Sequence, residues 1–274
     1  MSDEHVIPKW IRDRLQRTRR GFAPEESQKL SLYSAFSPGE PAQELMDEMD
    51  ALNIRLRKVI CRDCNNGFLS EMENRVAGVL GPMMFEVQST DITQDMQRDI
   101  TVWATKTILL LELAIRQKYP GKRPIDGYAP SDAELAWLYG SKGPLPRSIL
   151  WVSTWDCRFE TSFMYEPATA QLPTGDGNFV DAHITSLAIG YLSFQLVSTD
   201  FVKAEHLGAS RWVGVVPDGL KKAIVRVWPD GTSVIRWPTV AFDNEEWHRF
   251  VTWDGNLRPL EEGGVHIGPR QNND

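Results

Sequence analysis

The chain has 274 residues, of which 42% are hydrophobic, and it contains three cysteines. This length and apolar content suffice for one large domain or two modest ones, and three cysteines are too few for a disulfide framework. The net charge of -7 argues against non-specific binding of polyanions by the chain as a whole. No segment has the layout of a secretory signal or the ~20 apolar residues of a membrane span, so we expect a cytoplasmic protein without a membrane partner.

Positive charge is concentrated near the N-terminus, in the segment KWIRDRLQRTRR (residues 9–20), and composition predicts a helix over residues 10–20. The segment carries a single acid, Asp13, and the run RLRK from Arg55 adds further basic residues. A solvated helix face and a phosphate-contacting surface both fit this pattern. The candidate nucleic-acid-binding residues are Lys9, Arg12, Arg14, Arg17, Arg19 and Arg20.

The next elements are a helix over residues 41–52 and a half-exposed strand, IRLRKVIC, from Ile54. A further helix is predicted after the strand, because apolar residues recur there at helical spacing. They are Leu69, Met72, Val76 and Leu80. Ser70 and Glu73 have the spacing of a capping box at its start, and Gly81 with Pro82 is expected to end it.

The remainder of the chain changes from helical to strand-like patterns. Residues 92–119 predict a long, largely buried helix, and residues 131–140 predict a short one. From Ile149 onward β-like runs dominate, and the runs AIVRVWP and SVIRWP are separated by Asp230 and Gly231, a hairpin signal. We therefore predict an α+β fold.

Two short segments carry the chemistry. The first is EHVIPKW, which begins at Glu4, and the second is CRDCNNG, which begins at Cys61 and directly follows the predicted strand. Together they resemble the HNH endonuclease family with its ββα-metal fold, in the branch that pairs an E-H-V-I-P-K-W segment with a C-x-x-C-N-x-G segment. The resemblance covers about a quarter of the chain, residues 3–76. It implies that the two segments form paired strands and that the following helix completes the site.

The resemblance implies a role for each matching residue. His5 corresponds to the general base, since a neutral imidazole accepts a proton from water near neutral pH. Glu4 and Asn65 correspond to the ligands of a single Mg²⁺ or Mn²⁺ ion, which prefers oxygen donors. Asp3 and Asn66 are the alternatives if the register differs by one residue.

The chain also departs from the family pattern. In this branch a C-x-x-C pair upstream of the E-H segment usually completes a four-cysteine zinc site, and the sequence begins at Met1 without that pair. Cys61 and Cys64 are therefore at most a partial zinc site, and we expect a thiol pair without structural Zn²⁺. The asparagine usual between the two segments has only Asn53 as its nearest counterpart.

These expectations define a domain organisation and a function. The predicted units are an HNH-like module (1–80), a helical connector (81–147), a sheet-rich α+β domain (148–265) and a flexible tail (266–274). The predicted function is metal-dependent hydrolysis of DNA phosphodiester bonds. The alternatives are a catalytically inactive HNH-derived module that binds nucleic acid or protein, and an interaction protein that acts through its sheet domain.

Overall fold

The computed structural model describes residues 2–19, 55–61, 64–118, 132–156, 163–173, 179–199, 223–229, 233–243, 246 and 266–267. Helices and strands are mixed, and the α+β prediction is confirmed at that level. The helix predicted over 41–52, the strand-like run at 211–216 and most of the C-terminal tail lie outside the described residues.

The N-terminal segment forms a short strand and a helix. Strand β1 (Ser2–His5) leads through the buried residues Val6 and Ile7 into helix α1 (Lys9–Arg19), as the composition predicts. The main-chain N–H of Arg12 donates to the carbonyl of Pro8 at 3.1 Å, which fixes the first turn of α1. The helix therefore begins directly after the turn that follows His5.

Strand β2 (Arg55–Ile60) pairs antiparallel with β1. The resemblance implies that the two motif segments themselves form the paired strands, whereas β2 ends directly before the CRDCNNG segment. His5 pairs with Arg55 at one end of this two-stranded sheet, and Ser2 pairs with Ile60 at the other. The register shifts between Ser2 and Asp3, where a β-bulge interrupts the ladder. Helix α1 lies between the two strands in the chain, and a further helix follows β2.

That helix begins with a π-helical segment, Asn65–Leu69, which continues into α2 (Ser70–Phe85). The capping-box prediction is wrong, because Ser70 has helical dihedrals of φ -64° and ψ -42° and lies inside a continuous helical run. The predicted end at Gly81 and Pro82 is also wrong. The helix continues for a further turn because burial of Met83 and Met84 in the core outweighs the hydrogen bond that Pro82 cannot donate.

Helix α3 (Gln94–Lys118) is the centre of the molecule, and every residue from Ile100 to Glu112 is buried. It contacts α2 and β2 on one side and the large sheet on the other. The Trp103 and Phe194 rings lie 5.7 Å apart, which joins α3 to the sheet. The prediction of a long buried helix is confirmed. A short helix, α4 (Asp132–Ser141), packs against α3 at the predicted position.

The C-terminal half contributes a seven-stranded sheet with the order β10-β4-β7-β6-β5-β11, and β8 also pairs with β4. Its strands are β4 (Ser148–Trp155), β5 (Phe163–Pro173), β6 (Phe179–Ile189), β7 (Leu192–Thr199), β8 (Ile224–Trp228), β10 (Ala241–Phe242) and β11 (His266–Ile267). All eight residues of β4 and all eight of β7 are buried. Strands β4 and β7 are therefore covered on both faces, and α3 contacts β7 and β8.

The predicted hairpin between AIVRVWP and SVIRWP is wrong. The first run forms β8, which pairs with β4, whereas the second forms β9 (Ile235–Trp237), which pairs with β3 (Thr90–Ile92). The side chain of Gln97 supports the latter pairing, since its Nε2 donates to the carbonyls of Ile92 and Ser233 at 3.0 and 2.7 Å. Long-range pairing overrides the local turn signal.

One hydrophobic core runs through the described residues, from Val6 in the N-terminal segment through α2 and α3 to Trp237 in β9. The boundaries predicted for separate units stay a prediction. Among the described helices, none combines the length and the apolar character that crossing a membrane requires.

Candidate functional site

His5 ends β1, at the place where the chain turns toward α1. The residue is half-buried, and its Nδ1 atom is inaccessible and has no hydrogen-bond partner among the described residues. The turn after His5 is fixed by the buried side chains of Val6 and Ile7, which anchor it in the core. The sequence EHVI therefore places the His5 ring at the end of β1, and the buried side chains of Val6 and Ile7 hold the adjacent backbone in place.

The surroundings of His5 are electropositive. Burial lowers the pKa of His5 below its usual 6.5, and the nearby charges of Arg12 and Arg55 lower it further. Burial acts this way because it disfavours the charged form, and two guanidinium groups repel a proton on the ring. The imidazole is therefore neutral at physiological pH, the state in which it can accept a proton.

Asn65 opens the π-helical segment that follows β2. Its main-chain N–H donates to the carbonyl of Cys61 at 3.0 Å, and its side chain is half-buried. Gly67 interrupts this segment with φ -96° and ψ -107°, so the helical turn is irregular directly after the asparagine pair. Single π-helical turns inside longer helices are frequent at functional sites.

His5 lies on β1, and Asn65 follows β2, the antiparallel partner of β1. His5 lies three residues along β1 from Ser2, the partner of Ile60, which corresponds to about 10 Å of strand. The chain then turns from Cys61 into the helix that carries Asn65. Asn65 thus follows the end of β2 opposite to the end that pairs with His5.

The structure describes the other predicted site residues only in part. Asp3 and Glu4 occupy β1, opposite Arg57 and Leu56, while their side chains lie outside the described part of the chain. Asn66 is exposed. Asn53 lies outside the described residues. Among the described residues, no group of three or more His, Cys, Asp or Glu side chains has the arrangement of a metal site.

Two of the predicted DNA-contacting residues form ion pairs on the surface. Lys9 Nζ lies 2.7 Å from Asp13 Oδ2, one helical turn away. Arg14 Nη1 lies 2.9 Å from Glu86 Oε1, and its guanidinium also lies 5.7 Å from the centre of the Phe85 ring. Both pairs are exposed, so they contribute little to stability and can exchange for phosphate contacts.

The other four predicted DNA-contacting residues are described to different extents. The charge of Arg12 contributes to the lowered pKa of His5. The side chains of Arg17 and Arg19, and Arg20 as a whole, lie outside the described residues.

Sequence patterns do not predict the roles of Arg55 and Lys106. Arg55 lies close enough to His5 to lower its pKa, and Lys106 pairs with Glu73 of α2. Arg55 counts in the sequence only as one basic residue of a strand, and the pairing of β1 with β2 is what places it beside His5. Lys106 is fully buried in α3, and its Nζ lies 2.7 Å from Glu73 Oε1 of α2. The sequence signal for this ion pair is the presence of a lysine in the apolar run of α3, because a buried charge needs a partner.

A second polar cluster lies inside the fold, between α3 and β6. The carboxylate of Glu112 is 2.8 Å from His183 Nε2 and accepts a hydrogen bond of 2.9 Å from the hydroxyl of Thr185. All three residues are buried. This cluster joins the central helix to the sheet and is remote in the chain from His5.

Comparison of the chain with protein-family models, with curated proteins and with solved structures found no match.

Proposed function

We propose that this protein is a metal-dependent HNH-type endonuclease that hydrolyses DNA phosphodiester bonds, with His5 as the general base. The observation that carries the proposal is a half-buried imidazole at the end of a two-stranded antiparallel sheet, with its pKa lowered by burial and by Arg12 and Arg55. The E-H-V-I-P-K-W and C-x-x-C-N-x-G segments support it, because Glu4 and His5 lie on a strand that pairs with β2, and Asn65 follows β2 at the start of a helix.

The described residues suit individual steps of that reaction. Neutral His5 takes a proton from the attacking water, and the imidazolium that forms is destabilised by two guanidinium groups, so the proton is readily released afterwards. Arg12 and Arg55 attract the phosphate and orient it beside the imidazole. Positive charge beside the base therefore serves both substrate binding and proton release.

The donor set fits a hard divalent cation, since Glu4 offers a carboxylate and Asn65 a carboxamide oxygen. When bound, Mg²⁺ or Mn²⁺ held by these two residues would stabilise negative charge on the leaving oxygen.

The test is nicking of supercoiled plasmid in a titration of Mn²⁺ or Mg²⁺, with a chelator as the metal-free control. We expect H5A to lose activity by about 10²–10⁴-fold, the contribution typical of a general base, while its melting temperature stays close to that of the wild type. H206A, the same change at a histidine elsewhere in the chain, should nick as the wild type does. Equal cleavage by wild type and H5A would remove His5 from the mechanism.

The second candidate is a catalytically inactive module that binds nucleic acid. It is favoured by the charges of Arg12 and Arg55, which bind phosphate with or without a metal ion. Such a module would retain DNA binding in a fluorescence anisotropy assay. Neither the wild type nor H5A would then show ion-dependent strand scission.

A further inference from the structure

Cys61 and Cys64 form a compact thiol pair at the junction of β2 and the site helix. The main-chain N–H of Cys64 donates to Cys61 Sγ at 2.9 Å. The main-chain N–H of Asn65 donates to the carbonyl of Cys61 at 3.0 Å, so a second hydrogen bond joins the two ends of this segment. The sulfur of Cys61 therefore lies against the backbone from which the Cys64 side chain projects.

The two thiols differ in ways that matter for their reactivity. Cys61 is exposed, whereas Cys64 is half-buried and packs against the hydrophobic core. The exposed Cys61 sulfur is open to a peroxide from solvent, whereas Cys64 is partly covered by the core, and its main-chain N–H contacts Cys61 Sγ. Cys61 is thus arranged as the attacking thiol and Cys64 as the resolving one.

We propose that Cys61 and Cys64 are a reversible dithiol–disulfide pair that responds to hydroperoxides. The Cys61 thiolate attacks the O–O bond of hydrogen peroxide and forms a sulfenic acid, and the departing hydroxide takes up a proton to become water. The Cys64 thiol then attacks the Cys61 sulfur, the S–O bond breaks, and a second water leaves as the S–S bond forms. Two electrons pass from the thiols to the peroxide, and a dithiol reductant reverses the change by thiol–disulfide exchange.

The bond can be read by peptide mapping, because Arg62 lies between the two cysteines and allows trypsin to cut there. In a C157S background, so that only this pair of thiols remains, digestion yields one peptide over residues 59–62 and another over 63–75. After treatment with peroxide we expect the two to appear as one linked species, lighter than their sum by two hydrogens. Dithiothreitol should separate them.

The order of attack has its own test. We expect iodoacetamide to alkylate Cys61 roughly tenfold faster than Cys64 at neutral pH. In C64S, peroxide should leave a sulfenic acid at Cys61 that dimedone traps, whereas C61S should give little adduct at Cys64.

Two results would overturn the proposal. One is irreversible oxidation of Cys61 to sulfinic or sulfonic acid without any linked peptide. The other is stoichiometric zinc on the reduced protein that protects both cysteines from alkylation, since the pair would then be a metal ligand.

A consequence for activity rests on the proposed function and is measured separately. Closing the disulfide constrains the turn that presents Asn65, so the oxidised protein should nick plasmid more slowly than the reduced one. If the linked peptide forms but neither the oxidised nor the reduced protein nicks plasmid, the thiol pair is established and the proposed nuclease function is wrong.

Discussion

At the scale of single residues, the site is defined by what surrounds one imidazole. The motif around His5 identifies the residue, but the sequence does not reveal its environment. Val6 and Ile7 bury the turn beneath it, and Arg55 reaches it only because β2 pairs in a particular register with β1. A neighbour separated by fifty positions along the chain has no local pattern that would predict it.

The lowered pKa of His5 gives a direct test at this scale. Removing a nearby positive charge stabilises the imidazolium, so R55Q should raise the pKa of His5 toward 6.5. The measurement is the pH titration of the His5 ring signals by NMR in the two proteins. R236Q, which neutralises an exposed arginine on β9, should leave the titration unchanged. A wild-type midpoint above 6.5, or no change in R55Q, would contradict this description of the site.

The same shift has a consequence for stability, with a definite sign. Because the folded state holds the His5 proton less tightly than the unfolded chain, the unfolded chain binds more protons between pH 6.5 and the lower folded pKa. The contribution of His5 to the free energy of unfolding therefore decreases as the pH falls through that window.

At the scale of elements, the position of the site helix depends on its contacts with α3 and with the sheet. Glu73 of α2 pairs with the fully buried Lys106 of α3, and Arg75 of α2 contacts Asp99 of α3 at 2.8 Å. At the other end of α2, the carbonyl of Met84 accepts a hydrogen bond of 2.9 Å from the N–H of Tyr191 in the β6–β7 turn. These contacts hold the helix that carries Asn65 to the rest of the molecule.

The ion pair between Glu73 and Lys106 predicts a large effect of one substitution. E73A removes one carboxylate partner of a buried ammonium group and should lower the free energy of unfolding by about 3 kcal/mol, measured by urea denaturation. The control is E71A, because Glu71 lies on the same helix and is exposed, and a surface change should stay within about 0.5 kcal/mol. Equal effects of the two substitutions would show that the pair does not hold α2 to α3.

Gly190 provides a second test of how the elements join. It has φ +58°, and a Cβ at this position would overlap the carbonyl oxygen of Met84. G190A should therefore lower the free energy of unfolding by more than about 2 kcal/mol. G78A is the matched control, because Gly78 lies in α2 with open space around it and should gain up to about 1 kcal/mol from higher helix propensity. A neutral G190A would show that the turn does not dock on α2.

The elements show which features sequence reasoning reaches. The positions of α1, β2 and α3 follow from composition and periodicity, because the residues that decide them are neighbours in the chain. The end of α2 and the partners of β8 and β9 do not follow, because burial of Met83 and the long-range pairing of Ile235 with Ile92 decide them. Pro82 favours the end of a helix and residues 230–231 favour a hairpin, but packing and long-range pairing outweigh both signals.

At the scale of the whole molecule, the electropositive surroundings of His5 belong to an acidic chain with a net charge of -7. That distribution favours attraction of a phosphate to the N-terminal module over general binding of polyanions to the surface. The hydrophobic core extends without interruption from this module through α3 to the sheet. Changes in the sheet that loosen α3 should therefore reach the site through packing.

The central claim of the proposed function is that Glu4 and Asn65 hold one divalent cation beside the His5 imidazole. Paramagnetic broadening by Mn²⁺ tests it directly, since the NMR signals of groups close to the ion broaden first. We predict that the ring signals of His5 and the side-chain amide signals of Asn65 broaden together as the first equivalent of Mn²⁺ is added, while Trp103 in the core is unaffected. Broadening of only one of the two, or of neither, would contradict a shared metal site.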